Sequence, residues 1–169
     1  MFTVRPANAN DAYALGTLVQ ESILSAPSSP WEWDELSPDP LRIGQQLIGT
    51  ARSEVLLCHV VDAGGFIVGL AQALEGEFHR CRHAATGIVL VRPSARRHGV
   101  GRTLVRSMVA TSTALLAPGG GKLTIRVSAK DRALHALLVA EGWEVEREVQ
   151  AGLYVDGVPV VVRAMAISV

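Results

Sequence analysis

The sequence predicts a single α+β domain: a mixed, mostly antiparallel sheet flanked by about four helices. Three observations point there. The elements run β, α, α, β, β, β, α, β, α, β, β along the chain. Two turns, Ala63-Gly64-Gly65 and Asp156-Gly157, have the glycine chemistry of antiparallel hairpins. One later β-α-β passage requires a parallel strand pair. At 169 residues, with 49 % hydrophobic and 19 % charged side chains, the chain suits one core spanning 1–169 and lies outside the disordered class.

Each element follows from local chemistry. Phe2 to Arg5 is a short β-type run ended by Pro6, after which Asn8, Asn10 and Asp11 offer caps for a helix with Leu15, Leu18, Val19 and Ile23 on one stripe. Prolines at 27, 30, 38 and 40 make 25–40 a loop, and helical spacing returns from Leu41 to Arg52 behind a cap at Asp39. Glu54 to Asp62 and Phe66 to Leu74 are the arms of the first hairpin, and Ala84 to Val91 is a third apolar strand. Beyond Gly99, the apolar residues Val100, Leu104, Val105, Met108, Val109 and Leu116 recur at helical period up to Pro118. Lys122 to Val127 reads as a strand. Asp131 caps a helix striped by Leu134, Leu137 and Leu138 with Gly142 past its end, and two strands flank Asp156-Gly157.

The composition excludes several function classes. Sixteen basic residues balance sixteen acidic ones, so the summed positive field of a nucleic-acid or anionic-membrane binder is missing. Two cysteines, Cys58 and Cys81, are too few for a disulfide framework and suit a reducing compartment. Residues 1–6 do not read as a signal segment, and no apolar run reaches the roughly 18 residues that span a bilayer, so a cytoplasmic location is expected.

The most informative segment is Val91-Arg92-Pro93-Ser94-Ala95-Arg96-Arg97-His98-Gly99-Val100-Gly101-Arg102-Thr103, between a strand end and a helix start. Glycines at 99 and 101 let a ligand approach the backbone. The first helical turn offers unpaired N–H groups at the positive end of the dipole, and Arg96, Arg97, His98 and Arg102 add charge. A pyrophosphate would be held mainly by main-chain donors, with the Thr103 hydroxyl and the arginines as helpers. Position 104 is leucine where a dinucleotide fingerprint wants a third glycine, and Arg102 stands where a P-loop wants lysine.

Val91-x-Pro93-x-x-Arg96-Arg97-His98-Gly99-Val100-Gly101 resembles the Arg/Gln-x-x-Gly-x-Gly/Ala acetyl-CoA motif of the GCN5-related N-acetyltransferase (GNAT) family. The run from Asp131 to Trp143, with Leu138 and Gly142, is similar to that family's Asn-x-x-Ala-x-x-Leu-Tyr-x-x-x-Gly-Phe segment. The resemblance covers nearly the whole chain. It implies a GNAT-like acyltransferase fold with a splayed parallel strand pair, acetyl-CoA as donor and no metal. It places Val89, Leu90 and Val91 against the pantetheine arm, with a main-chain N–H there as oxyanion donor, and residues 96–103 around the pyrophosphate, with Asp131 at the family's asparagine position. The acetyl group would pass directly to a primary amine of a small molecule or peptide in a ternary complex, with no acyl-enzyme. Two positions depart from the family. Leu138 replaces the tyrosine that protonates the departing thiolate, and Thr86 occupies a frequent glutamate position.

A base, if one acts, has candidates in His83, Glu75, Glu77 and His79, with His83 preferred because its ordinary pKa lies near working pH. Trp31, Glu32, Trp33 and Glu35 offer an aromatic wall and carboxylates for a cationic amine, and serve equally as a lid packed on the core; Tyr154 and Asp156 are lesser acceptor candidates. His79, Cys81 and His83, with Cys58-His59, raise a zinc site, which the missing Cys-x-x-Cys knuckle disfavours. The expectation is an acetyl-CoA-dependent N-acetyltransferase that binds neither nucleic acid nor membrane, with a homodimer allowed. The alternatives are a catalytically silent acyl-CoA-binding module and a nucleotide-binding regulator.

Overall fold

Alternation, turn glycines and helix caps combine into seven strands in one sheet, in the order β1-β2-β3-β4-β5-β7-β6. The computed structural model describes residues 2–25, 37–49, 55–76, 83–116, 120–155 and 157–169. The strands are β1 (Thr3–Pro6), β2 (Val55–Asp62), β3 (Ile67–Glu75), β4 (Ala84–Val91), β5 (Lys122–Ser128), β6 (Glu144–Val155) and β7 (Val158–Ser168); the helices are α1 (Ala12–Ser25), α2 (Pro40–Ile48), α3 (Val100–Leu115) and α4 (Arg132–Ala140). Every adjacent pair is antiparallel except β4 and β5, joined by the α3 crossover. The α+β architecture expected from the element order is therefore the observed one.

Two cores lie on opposite faces. On one, α3 and α4 cover the sheet through Val100, Leu104, Met108 and Leu138, packed on Ala71, Ala73, Ile125 and Met165. On the other, α1 and α2 bury Leu15, Leu18, Val19 and Ile43 against Val60, Ile67 and Leu70, with Leu90 of β4 at the margin. Side chains alternate between these faces along each strand. At the margin of the α1/α2 core, the Gln72 amide donates to the Leu47 carbonyl.

Local chemistry sets the ends. The Asn8 side chain accepts from the Asn10 N–H at 2.9 Å and the Asp11 carboxylate accepts from the Asn8 N–H at 2.8 Å, a capping box that feeds α1. Arg5 grips buried Asp11 at 2.7 and 2.8 Å, and these charge-assisted bonds hold the Asp11 carboxyl below the usual carboxylate range despite burial. Helix α2 starts on the Asp39 cap and stops at Gly49, whose φ of 79° is left-handed, so it ends at Ile48 rather than at Arg52. Helices α1 and α2 cross backbone to backbone. A Cβ on Gly16 would collide with the Pro40 carbonyl and one on Gly44 with the Ala12 carbonyl, so only glycine permits the approach.

Candidate functional site

The parallel pair separates midway. β4 and β5 are in register from Ala84↔Lys122 to Gly87↔Ile125, and there the pairing stops although β4 runs to Val91 and β5 to Ser128. On its other side β4 stays paired to β3 up to Gly69↔Val91. The β5-facing edge of Ile88 to Val91, including the predicted Val89, Leu90 and Val91, is thus a strand edge opened inside a sheet. Its backbone groups are available to an extended ligand arm, apart from the Val91 carbonyl, which accepts from Arg96 Nε.

The chain from β4 to α3 forms a tight loop at this open end. A short 3-10 turn at Pro93–Ala95 leads to Arg96, then to Arg97 at φ 67° and Gly99 at φ 83°, before helical geometry begins at Val100. Two left-handed residues in three turn the chain sharply just before the helix head, and exposed main-chain N–H groups in such turns can accept an anion. A non-glycine residue at φ 67° is strained by about 1 kcal/mol or more. Helix α3 has no side-chain cap, so its first N–H groups remain outward donors.

The two glycines have different roles. A Cβ at Gly99 would meet nothing within 4 Å, whereas one at Gly101 would lie 3.2 Å from Leu137 Cδ2 and 3.7 Å from Val91 Cγ2. Gly99 therefore serves the open concavity. A Cβ at Gly101 would press on Leu137 of α4, so this glycine also lets α3 and α4 pack closely.

The flanking side chains are less available than the motif suggested. Arg96 Nε donates to the Val91 carbonyl at 3.2 Å, His98 Nδ1 lies 2.8 Å from the Arg96 carbonyl, and the Thr103 hydroxyl donates to the Gly99 carbonyl at 3.1 Å. Arg102 pairs with Glu141 at 2.9 Å, and Arg106 bonds the same carboxylate at 2.7 and 3.2 Å. These two arginines, Arg106 first, hold Glu141 below its usual pKa. Arg102 and Thr103 are thus engaged within the α3–α4 structure, and exposed Arg97 is the loop arginine with no side-chain partner among the described residues. Asp131 caps α4, its carboxylate accepting from the Leu134 N–H at 3.0 Å. Leu138 is 0 % exposed within the α3/α4 core, so no proton donor stands at the position the family resemblance gives to tyrosine.

On the face opposite α3, the row Leu74, Thr86, Thr124, Ala166 and Glu144 crosses β3, β4, β5, β7 and β6. Thr86 is exposed there, next to the point of separation. His83 precedes β4, exposed, its carbonyl accepting from the Lys122 N–H at 2.8 Å, which puts it about 13 Å along the strand from Gly87 and the opening. Glu75, paired with Ala85, lies toward the same end. The sequence reading puts both near the acceptor end of the central strands; the register puts them on the paired side of β4, away from the opening. Glu77, His79 and Cys81, like Trp31, Glu32, Trp33, Glu35 and Asp156, lie outside the described residues. Tyr154 is exposed on β6 near the last hairpin.

The zinc pairing separates as well. Cys58 belongs to the α1/α2 face, where burial pushes its thiol up to about 12, whereas His59 points to the other face and lies 2.8 Å from Ser107 Oγ of α3. Burial lowers the His59 pKa. Adjacent residues on opposite sides of a strand cannot share a metal. A cleft of about 490 Å³ between Lys122, Glu144, Glu146 and Ser168 sits at the start of β5, away from the opening.

Comparison with known proteins agrees with this geometry. Residues 20–141 match the profile of the acetyltransferase (GNAT) family. No curated protein sequence matches significantly. Among solved structures, an acetyltransferase of the GNAT family from Streptococcus pneumoniae superposes with a TM-score of 0.84 at 17 % identity, covering 100 % of this chain and 99 % of its own. A ribosomal-protein-alanine N-acetyltransferase from Brucella melitensis gives 0.83 at 22 % identity, covering 99 % of each chain. A GNAT superfamily phosphinothricin acetyltransferase from Sinorhizobium meliloti, solved in complex with acetyl-CoA, gives 0.83 at 21 % identity over 99 % of this chain and 88 % of its own. At these identities the likeness establishes the fold. No helix among the described residues is long and apolar enough to cross a membrane.

Proposed function

Because the chain belongs to the acetyltransferase (GNAT) family, we propose that it moves the acetyl group of acetyl-CoA directly onto a primary amine of a small molecule or peptide, within a ternary complex. The observation that carries this reading is the parting of β4 from β5 beyond Gly87↔Ile125, next to the left-handed loop at Arg97 and Gly99. A diphosphate fits the concavity at the head of α3, because its donors are main-chain N–H groups that need no side chain to be freed. From there an extended arm with amide groups can lie along Ile88 to Val91, as an added strand would.

An acyl group at the end of that arm reaches the face opposite α3, where Thr86 is exposed. The amine nitrogen attacks the thioester carbon, the C–N bond forms as the C–S bond breaks, and the sulfur leaves as thiolate. A main-chain N–H of the open β4 edge, around Val89 to Val91, donates to the carbonyl oxygen as it gains charge. Leu138 can donate no proton and the Thr86 hydroxyl is no base at neutral pH, so the amine enters neutral and releases its proton to water.

Calorimetry of folded protein with acetyl-CoA, followed by thiol release with a panel of primary amines, tests the reading. Binding with turnover of an amine supports it; no heat with any coenzyme A species removes the donor. The buried Leu138 also favours a second reading, an acyl-CoA-binding module without turnover, and binding with no thiol release across the panel would select it.

A further inference from the structure

The sheet face opposite α3 has two parts. Helices α1 and α2 cover β2, β3 and the Leu90 margin of β4, while β5, β7 and β6 have no helix over that face among the described residues. On this bare half, Arg126 of β5 pairs with Ala164 of β7, and Ala164 pairs with Arg147 of β6. The two arginines therefore flank an alanine on one face, roughly 10 Å apart at their Cα atoms, within reach of a common ligand. Both are exposed, and neither has a hydrogen bond or ion pair among the described residues. Glu144 stands one row away beside Ala166, and Glu146 is taken by Lys122 at 2.6 Å, so the Arg126–Ala164–Arg147 row keeps net positive charge.

Position gives this row its meaning. Ile125 forms the last pair with β4, so Arg126 is the first β5 residue beyond the point where the strands part. It borders the place where a thioester threaded through the opening would emerge. Alanine between two guanidinium groups leaves a shallow floor over which both can fork onto one oxyanion. The same two charges repel an acceptor carrying several ammonium groups.

We infer that the acceptor amine carries an oxyanion, a carboxylate or phosphonate, that docks between Arg126 and Arg147 and fixes which amine reaches the donor; this rests on the acetyl-CoA reading above. Thiol release from acetyl-CoA is measured with L-amino acids, with the matched amino acid amides, with aminoalkylphosphonates and with spermidine. Acids are expected to exceed their amides at least ~10-fold in kcat/KM, with the carboxylate and phosphonate arms showing which oxyanion fits better. Arg126→Gln should abolish most of that preference through KM, and Arg147→Gln a smaller part. Both should keep the wild-type Tm and acetyl-CoA affinity.

Amides or spermidine used as well as the acids would overturn the inference, as would a preference that survives in Arg126→Gln. Acetyl-CoA binding with no turnover of any acid would also overturn it. Failure to bind acetyl-CoA would instead remove the donor reading on which it stands.

Discussion

The two halves of the sheet differ in how they are covered. β3 is buried on both faces from Ile67 to Ala73, between α3 and the α1/α2 pair, whereas β5 alternates, with Leu123, Ile125 and Val127 buried and Thr124 and Arg126 turned to a face that no helix covers among the described residues. The half buried on both sides supports the loop and the uncapped helix head whose backbone N–H groups face outward. The half with one bare face leaves side chains free to select a ligand. In the proposed reaction, donor and acceptor meet where the halves part, past Gly87↔Ile125. A site built at such a seam needs no cavity of its own, and the cleft beside Lys122 and Glu144 lies elsewhere.

The division is broken most directly at Gly99. Asparagine and aspartate there impose the same left-handed geometry and enter the same open space, so they differ mainly in charge. Gly99→Asp should weaken acetyl-CoA roughly 100-fold relative to Gly99→Asn, as a carboxylate meets the diphosphate at close range. Both variants should share a Tm loss from about 1 kcal/mol of backbone strain. Equal calorimetric Kd values for the two would detach the loop from the donor. On the other side of the seam, Thr86→Trp covers the exposed floor without touching the loop. It should lower kcat/KM for the acceptor about 10-fold while acetyl-CoA affinity stays unchanged, as steric exclusion from one site predicts. A parallel fall in donor affinity would mean that the two halves do not act separately.

A third substitution tests the scaffold apart from either substrate. Asp11→Asn removes the charge that Arg5 grips and weakens the capping box before α1, for a loss of roughly 1–3 kcal/mol in denaturant unfolding. The sign with pH follows from the depressed carboxyl. Its contribution is complete above the unfolded value of 3.8 and is lost as pH falls through the lower folded value. Wild type should therefore lose stability more steeply than Asp11→Asn below about pH 4. Parallel acid limbs for the two proteins would contradict the pairing.

Much of the scaffold was legible in the sequence because its signals are local. The caps at Asp39 and Asp131, the turn at Ala63-Gly64-Gly65 and the apolar stripe from Val100 to Met108 each lie within a few residues of what they determine. The donor loop was legible for the same reason, since left-handed geometry at Gly99 and uncapped N–H groups at a helix head are properties of adjacent residues. What sequence could not give was partnership across the fold. Arg102 reads from the sequence as a phosphate ligand, and only the fold brings it to Glu141, 39 positions later. Arg126 and Arg147 went unnoticed because only the register through Ala164 brings them together. A signal for the bare face existed in Lys122, Thr124 and Arg126, which alternate with Leu123, Ile125 and Val127 as in a strand solvated on one side.

His83 shows the same limit and supports the smallest predicted effect. It lies close in sequence to the strand that borders the donor, and its chemistry suits a base at neutral pH, but nearness along a strand does not say which end is meant. In the register His83 leads into Ala84↔Lys122, while the opening begins beyond Gly87↔Ile125. Proton transfer needs contact within hydrogen-bond reach or through one water, and about 13 Å of strand exceeds both. His83→Ala should therefore change kcat/KM by less than about 2-fold and leave the pH–rate profile in place, rising instead with deprotonation of the amine itself. A limb near pH 6–7 present in wild type and lost in His83→Ala would return the base to this histidine and require the chain to fold back over the seam.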